Sequence, residues 1–501
     1  MQSTQSNLFP WPKLLPFVVM AGFLMLYTTL PNQNPTADAY AYAASVRWET
    51  DLWKPHHLLY NATGWAFTKL LSTIGFHTSA LPSMQLLNSI FAVASLWVLF
   101  RILKRIQSNP WVITGFLLVA GASFGPMRYA TENETYLIPI FFSLLGSLFW
   151  VKYSQHQSTS HLLLSGFWAA FACLFHQIHF FWWLGLGLSL VWVPRAKPWT
   201  WFWYFVPALV VPLGYGLVMG HLGIPFGQTL QFVFQDFYKA SVQTTISGQN
   251  FLMTGISLVR TFMEVHGRLY FLFLQHWLWL VPGLMAFALI VWGVLTMVAR
   301  IRKSIVVQPL VLKSHVLVLL LQLLFAWYAV GNAEFMVMFP FLVVLVLASF
   351  QEWRPKTGIA LGLGLLLWNT TYGLVPNHFH RYTNHACLYQ TMQKKPAQVL
   401  LLQDKTHFNA YYHYKTGQPF PMAYETWDRP ARLDSVISQA IAQNQIIYTD
   451  YSTDAPVFSR ARLLLNSPSD ALFKKYMLLE VASCPTLFGD KKLFRVTVTS
   501  R

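Results

Sequence analysis

Residues 84–103 read MQLLNSIFAVASLWVLFRIL, and Lys104 and Arg105 follow at once. An apolar run of about 20 residues has the length of a helix that crosses a bilayer. The positive residues at its end are typical of a cytoplasmic boundary. The stretch therefore predicts a transmembrane helix, and it predicts the side of the membrane on which that helix ends.

Further apolar runs of this kind occur on both sides of this one, and together they predict eleven spans. A polar cluster, His176, Gln177 and His179, predicts a break between the fifth and sixth of them, because one helix of that length would overshoot the bilayer. The predicted spans are 13–30, 84–103, 111–128, 136–153, 161–177, 179–194, 199–219, 269–299, 312–331, 333–350 and 357–375.

The composition agrees with a multi-span membrane protein. Of 501 residues, 55% are hydrophobic and 11% are charged, and the mean hydropathy is +0.41. A soluble domain carries about 25% charged residues, so an ordinary cytosolic enzyme is excluded. A disordered chain is excluded as well, because such chains are poor in aromatic residues and this one has 17%. In a soluble protein, the net charge of +17 would indicate binding to nucleic acid. Here the positive residues flank apolar runs, which indicates membrane topology instead.

The loops alternate in charge, and this predicts a topology. Lysine and arginine collect in loops that we assign to the cytoplasm, together with the N-terminus. They include Arg105, Lys152, Arg195, Arg300, Lys303 and Arg354. The acidic residues of the first 375 positions lie almost all on the other side, with Asp236 in a long outer loop and Glu352 as the exception. The expected location is a cell membrane, the bacterial inner membrane, with the C-terminus extracytoplasmic.

Two domains are expected. Residues 1–375 form an all-α, multi-span domain with outer-loop helices at 38–75 and 220–268. Residues 376–501 form a small extracytoplasmic α/β domain, with strands at 399–403, 446–449, 477–482 and 492–499 and a helix at 431–442. Cys387 and Cys484 both fall in this domain, where a disulfide is chemically permitted, although two free thiols are an equal alternative.

The first outer loop contains two groups of candidate residues. Asp38 lies on one face of a predicted helix with Tyr42, and its structural alternative is a carboxylate favoured by the helix dipole. Lys54, His56 and His57 follow in "KPHHLLYN" and suit a phosphate group at headgroup level, although a solvated loop with aromatic anchors would contain them too.

The second outer loop reads "RYATENETYLIP" from Arg128 and places Glu132 and Glu134 just above the bilayer. These carboxylates suit a sugar-phosphate or metal site. The structural alternatives are a capping box between Thr131 and Glu134 and an ion pair between Arg128 and Glu132. Beyond this loop, ionisable residues at the ends of spans are functional candidates by default, namely His176, His179 and Glu334.

Together these elements resemble the GT-C glycosyltransferases, a superfamily of membrane enzymes related to the protein mannosyltransferases and the lipid A aminoarabinose transferases. The acidic residue after the first span, the amphipathic helix and "PHHLLY" look like the first outer loop of that family. "ENETY" is similar to the Glu-x-Tyr element of its second outer loop, and the match covers about residues 10–350. Asp38 stands alone where many members have an acidic pair, and Pro55-His56-His57 replaces His-Pro-Pro.

The resemblance implies transfer of a sugar from a polyprenyl-phosphate donor to a lipid, glycan or protein acceptor, with inversion at the anomeric carbon. It implies that Asp38 is the general base, and that Glu134, with Glu132 beside it, orients the acceptor or holds a divalent metal ion. The substrate-binding candidates are Lys54, His56, His57, Tyr60, Arg128, Tyr136, His176, His179, Arg260, Arg268 and Glu334.

Three other functions remain open. A transporter or flippase of lipid-linked substrates would need charge near the centre of the bilayer, where these spans have almost none. A non-catalytic envelope-assembly protein would tolerate the loss of Asp38. A membrane acyltransferase would also need an outer base and phosphate-binding cations. No nucleic acid partner is expected.

Overall fold

The computed structural model describes residues 11–194, 197–235, 246–302, 304–351, 353–451 and 469–498. Of the positions named above, Arg195, Asp236, Lys303, Glu352 and residue 499 lie outside these ranges. The helices of the described chain are α1 (Trp11–Thr29), α2 (Ala37–Trp48), α3 (Tyr60–Thr73), α4 (Ala80–Ile106), α5 (Pro110–Ala122), α6 (Phe124–Ala130), α7 (Leu137–His156), α8 (Thr159–Phe175), α9 (Phe180–Leu188), α10 (Pro198–Phe205), α11 (Val210–Leu222), α12 (Thr229–Val233), α13 (Gly248–Phe262), α14 (Arg268–Gln275), α15 (Leu280–Ile301), α16 (Pro309–Tyr328), α17 (Phe339–Ala348), α18 (Pro355–Asn369), α19 (Val375–Phe379), α20 (His385–Lys394), α21 (Lys405–Thr416), α22 (Pro430–Ala442) and α23 (Ser469–Phe473). The strands are β1 (Val399–Leu402), β2 (Ala423–Glu425), β3 (Ile447–Thr449), β4 (Tyr476–Cys484) and β5 (Lys491–Val498).

The chain separates into two compact units. The first consists of Met1–Pro31, Asp51–Val265 and Leu278–Val375, and it contains the apolar helices. The second consists of Asn32–Thr50, His266–Trp277 and Pro376–Arg501, and it contains the sheet. The fold is thus mostly helical with a small C-terminal sheet domain, as the sequence predicts.

Seven helical segments of the described chain are long and apolar enough to cross a membrane. The pair α5 and α6, bent by 64°, makes an eighth when it is counted as one span. The apolar helices Thr159–Phe175 and Ala333–Ala348 are shorter. All eleven predicted apolar segments contain helix, but the count of eleven crossings stays a prediction.

Two predicted helix boundaries can be compared with the structure, one of which is confirmed and one of which is wrong. The break near His176 is confirmed, because α8 ends at Phe175 and His176 has an extended backbone, with φ −159° and ψ 121°. The span predicted at 269–299 begins too early. His276 is also extended, so α14 is a separate helix and the spanning segment starts at Trp277.

In the first unit, hydrogen bonds join loops that were predicted to lie on the same side of the membrane. Gln107 donates hydrogen bonds to the carbonyls of Ala348 and Phe350, at 2.7 and 3.0 Å, and all three belong to ends predicted as cytoplasmic. At the opposite ends, Tyr136 donates to Glu334 at 2.9 Å. Loops that were predicted to share a side therefore lie together, and which of the two sides is cytoplasmic stays a prediction.

The second unit is built on a mixed five-stranded sheet of order β2-β1-β3-β5-β4. β1 pairs in parallel with β2 and β3, and β5 runs antiparallel between β3 and β4. Four of these strands and α22 match the sequence predictions, while β2, α20 and α21 were not predicted. Cys387 and Cys484 form a disulfide with a Cα–Cα distance of 5.9 Å, which confirms the first of the two alternatives.

The helix that carries Asp38 belongs to the second unit. α2 begins at Ala37, where Thr36 caps it by accepting a hydrogen bond from Ala39 N, so the predicted helix is confirmed. It packs against α21, and the Trp48 indole donates a 3.1 Å hydrogen bond to the carbonyl of His413. Tyr40 meets Tyr411 edge to face at 5.1 Å.

Candidate functional site

Residues 131–136 connect α6 to α7, and every one of them is buried. Glu132 is 0% exposed and Glu134 is 3% exposed. Burying a carboxylate is costly unless it is paired or hydrogen bonded, so these two positions need partners inside the protein. A short connection with this much buried polar chemistry is unusual, because loops normally run over the surface.

Asn88, on α4, holds this connection in place. Its side-chain amide donates to the carbonyls of Glu132 at 2.7 Å and of Glu134 at 2.6 Å. Tyr60, at the start of α3, donates to the Asn133 side chain at 2.7 Å. Burial and the nearby Glu134 carboxylate raise the pKa of Tyr60 well above its usual range, so its hydroxyl remains a donor. Asn88 was not among the predicted site residues; its signal in the sequence is an amide four residues into an apolar run.

The carboxylates themselves are held by residues from different helices. Arg128 Nε lies 3.2 Å from Glu132 Oε2, which confirms the predicted pair. Tyr136 donates to Glu334 Oε2, and these two residues are 198 positions apart. The structure thus brings together four of the predicted site residues in one cluster.

The predicted capping box between Thr131 and Glu134 is wrong. α7 begins at Leu137, its N-cap is Tyr136, and no side chain caps it. Thr131 instead ends α6 and donates to the Arg128 carbonyl at 2.9 Å. The local pattern failed because Asn88, from another helix, binds the backbone of the connection. Glu134 therefore does not have the structural role that a capping box would give it.

Three histidine rings meet edge to face beside this cluster. The ring of His57 lies 4.2 Å from that of His56 and 4.4 Å from that of His176. His176 in turn lies 5.2 Å from the Tyr136 ring, which joins the first outer loop to the second. Burial lowers the pKa of His57 well below its usual range, and the neighbouring His176, His56 and Lys54 lower it further. His57 is therefore neutral at pH 7 and acts through hydrogen bonds.

An apolar groove of about 310 Å³ is linked to the segment before these histidines. Its walls come from α11 and the residues around α12, and they include Val211, Met219 and Tyr215. The Tyr215 hydroxyl donates to the carbonyl of Pro55 at 2.6 Å, directly before His56. The Gln177 side-chain amide holds two residues of the groove wall, because it donates to the Tyr215 hydroxyl at 2.9 Å and to the Val233 carbonyl at 2.8 Å. The sequence did not predict this groove, because it depends on how α11 packs against the residues around α12.

Throughout the described ranges, the acids of the second outer loop belong to no set of three close metal-ligand atoms. Arg128 is bound to Glu132, and Tyr136 is bound to Glu334. A divalent metal ion at Glu134 and Glu132 therefore stays a prediction.

The other predicted residues lie elsewhere. Arg260 is on α13 of the first unit, and His179 pairs with Ser143 at 2.7 Å. Arg268 starts α14 in the second unit, where it binds the Asn377 side chain and lies 4.8 Å over the Tyr382 ring. Asp38 is also in the second unit. Its expected convergence with Glu134 therefore stays a prediction.

No protein-family model matches the chain, and no curated protein matches it. Its structure is similar to that of ArnT from Cupriavidus metallidurans in the apo state, at 13% identity and a TM-score of 0.48, over 97% of both chains. The same protein bound to undecaprenyl phosphate gives 12% identity and a TM-score of 0.46, over 98% of both chains. The Pmt1-Pmt2 protein O-mannosyltransferase complex of S. cerevisiae, bound to its sugar donor, gives 13% identity and a TM-score of 0.35. That match covers 44% of this chain and 34% of the yeast chain. These proteins are GT-C glycosyltransferases, the superfamily that the sequence resembles.

Proposed function

We propose that this chain is a membrane glycosyltransferase that moves a sugar from a polyprenyl-phosphate donor to an acceptor on the extracytoplasmic face. One observation carries the proposal: Tyr215 in the wall of an apolar groove binds the carbonyl of Pro55, and the neighbouring His57 contacts, through the His176 ring, Tyr136 at the end of the buried connection that contains Glu134. A lipid tail, a phosphate and a sugar need these three environments in this order.

The groove suits the prenyl chain of the donor. Its lining is almost entirely apolar, so a lipid chain can pass from the bilayer into it without burying unpaired polar groups. The phosphate would lie where the groove meets Lys54, His56 and His57. Lys54 supplies the positive charge there, while neutral His57 supplies a hydrogen bond without repelling the cation.

Transfer needs one displacement at the anomeric carbon. The acceptor hydroxyl oxygen bonds to that carbon as the bond to the phosphate oxygen breaks, and the polyprenyl phosphate leaves with the bonding pair. The hydroxyl proton passes to a general base, which we assign to Asp38. Because the phosphate leaves readily as an anion, no strong acid is required. Attack opposite the leaving group inverts the anomeric carbon, and Glu134 orients the acceptor.

The test uses the purified full-length chain in nanodiscs. It is incubated with synthetic polyprenyl-phosphate hexose, aminosugar and pentose, together with envelope fractions as acceptors. Mass spectrometry measures released polyprenyl phosphate and the sugar mass gained by the acceptor. We expect release with one donor class, and a loss of about 100-fold or more in Asp38→Asn.

Matched variants separate chemistry from folding. Glu134→Gln should also lose transfer, whereas Asp490→Asn and Glu480→Gln, which alter exposed acids of the β4–β5 hairpin, should keep it. Release with none of the donors would refute the proposal. Unchanged transfer in Asp38→Asn would refute the assignment of the base alone.

A transporter remains the second candidate because polar side chains extend into the bundle. Ser147, on α7, lies 2.9 Å from His315 of α16 and accepts a 3.0 Å hydrogen bond from the Trp182 indole. One turn earlier, Ser143 binds His179. Interhelical hydrogen bonds of this kind also hold membrane helices together. Lipid flipping in liposomes that survives in Asp38→Asn and is lost in His315→Ala would favour transport.

A further inference from the structure

A second cluster of possible ligands lies in the sheet-containing unit, apart from the residues discussed above. His385 begins α20, and Asp404 and His407 lie at the start of α21. One ligand atom from each of the three residues lies within 4.8 Å of the others. The two imidazole rings are 4.2 Å apart. Two imidazole nitrogens and one carboxylate oxygen form a donor set that zinc prefers.

The geometry of His407 shows where its lone pair points. Its Nε2 lies 2.9 Å from the carbonyl of Pro35, and a carbonyl only accepts, so Nε2 carries the proton. In the neutral ring, Nδ1 then presents its lone pair to Asp404 Oδ2, at 3.7 Å. Two acceptors that face each other repel, unless a cation lies between them. The hydrogen bond to Pro35 is also the kind of outer contact that orients a histidine ligand.

His385 has a buried ring nitrogen without a hydrogen-bond partner, which is independent evidence for a ligand at this cluster. Its side chain is only 6% exposed, and its Nδ1 is buried without a hydrogen-bond partner. Such an atom normally has a partner, because an unsatisfied buried polar group costs about 1–3 kcal/mol. Asp404 is also constrained, since its Oδ1 accepts from the His407 backbone at 3.0 Å and leaves Oδ2 directed toward the cluster.

We propose that His385, Asp404 and His407 bind a zinc ion. Ligand atoms on one tetrahedral zinc lie roughly 3.3 Å apart, given bond lengths of about 2.0–2.1 Å. The observed separations, up to 4.8 Å, require shifts of about 1 Å, which the exposed Asp404 and the partly exposed His407 can make. A redox-active ferrous ion fits less well, because the disulfide in the same unit indicates an oxidising compartment.

A zinc ion at this site would stabilise the second unit next to the N-terminus of α2. His407 is bound to Pro35, and its ring lies 5.8 Å from that of Tyr40. Asp38 lies between these two positions in the chain. A bound zinc therefore joins α20 and α21 directly, and it fixes through Pro35 the segment that positions Asp38. The three protein ligands leave a fourth coordination position for water or another donor.

The test measures zinc binding itself, so it does not depend on the proposed glycosyltransferase activity. The full-length chain is purified with a tag that lacks histidine, stripped with EDTA and titrated with Zn²⁺ against a chromophoric chelator. We expect wild type to bind one zinc more than the His385→Ala/His407→Ala variant. Asp404→Asn, which keeps the helix-capping oxygen, should weaken this site by about 10-fold or more.

His413→Ala is the matched control, because it removes another histidine of α21 and should bind as wild type does. A non-reducing gel that shows the Cys387–Cys484 bond confirms that each variant has folded. Equal zinc binding in wild type and the double variant would overturn the proposal. So would a wild-type chain that binds no zinc, which would leave the cluster as an ion pair between protonated His407 and Asp404.

Discussion

The hydroxyl of Tyr136 donates a 2.9 Å hydrogen bond to the carboxylate of Glu334, which lies 198 residues further along the chain. This bond ties the connection between α6 and α7 to the turn before α17. The bond joins two short loops that are far apart in the sequence.

We predict that Tyr136→Phe and Glu334→Gln are coupled. Tyr136→Phe removes the hydrogen bond and Glu334→Gln removes its negative charge. A hydrogen bond to a charged group contributes about 1.5–3 kcal/mol, so the double variant should lose less stability than the sum of the two. The measurement is a double-mutant cycle by thermal unfolding in detergent. Tyr328→Phe, on α16, serves as the control. Additive losses would show that the two side chains act independently.

Asn88→Ala should destabilise the first unit by about 2–5 kcal/mol. It leaves the buried carbonyls of Glu132 and Glu134 without their donor, and each unsatisfied group costs about 1–3 kcal/mol. Thermal unfolding and limited proteolysis near residue 133 would measure the effect. Ser95→Ala is the comparison, because Ser95 is buried on the same helix but donates to Phe91 within it. Equal losses in both variants would contradict a specific role for Asn88.

His57 should make the first unit sensitive to acid. Its pKa is lowered in the folded state, so below about pH 6.5 the unfolded chain binds a proton that the folded chain does not. Stability should therefore fall as the pH drops below about 6.5, and it should be fully present above it. His57→Gln should flatten this dependence between pH 5 and 7, while exposed His77→Gln should not. A slope unchanged in His57→Gln would assign the effect to another group.

Removal of the disulfide should destabilise the second unit. The bond joins residues 97 positions apart, and loss of such a cross-link typically costs about 2–5 kcal/mol. Cys387→Ser should lower the midpoint of thermal unfolding and expose 376–501 to protease, and Cys484→Ser should match it. Cys173→Ala, in α8, should retain the bond and the protease resistance.

Reporter fusions can determine the topology. Fusions after residue 105 and residue 376 should report opposite sides of the membrane, with residue 105 in the cytoplasm. The hydrogen bonds of Gln107 place its loop with the one after α17, so a fusion near residue 350 should agree with residue 105. Reports of one compartment at 105 and 376 would refute the eleven-span prediction.

Structural features that depend on residues close together in the chain were predicted well. The apolar runs predicted the helices, the polar residues near His176 predicted the break after α8, and the short apolar runs at β1 and β3 predicted buried strands. The spacing of Arg128 and Glu132 gave their pair, because residues four apart meet on a helix.

Contacts across the sequence were not predicted. Asn88 binds carbonyls 44 and 46 residues away, and carbonyl positions leave no signal in a side-chain pattern. The same contact explains why the capping box at Thr131 failed. Likewise, α2 directly follows the first span in the sequence, so it was predicted to belong to the transmembrane domain. In the structure it belongs to the second unit, where Tyr40 packs on Tyr411 of α21. His385, Asp404 and His407 were missed because their grouping depends on the connection after β1.

The place of β5 in the sheet has a consequence for biosynthesis. β5 lies between β3 and β4, so β4 has no partner strand, and β3 has only β1, until residues 491–498 have been made. The sheet is therefore completed by the last strand of the chain, and until then one edge of β3 is open to intermolecular pairing. A chain interrupted before residue 491 would keep that edge open, so it should be degraded rather than accumulate.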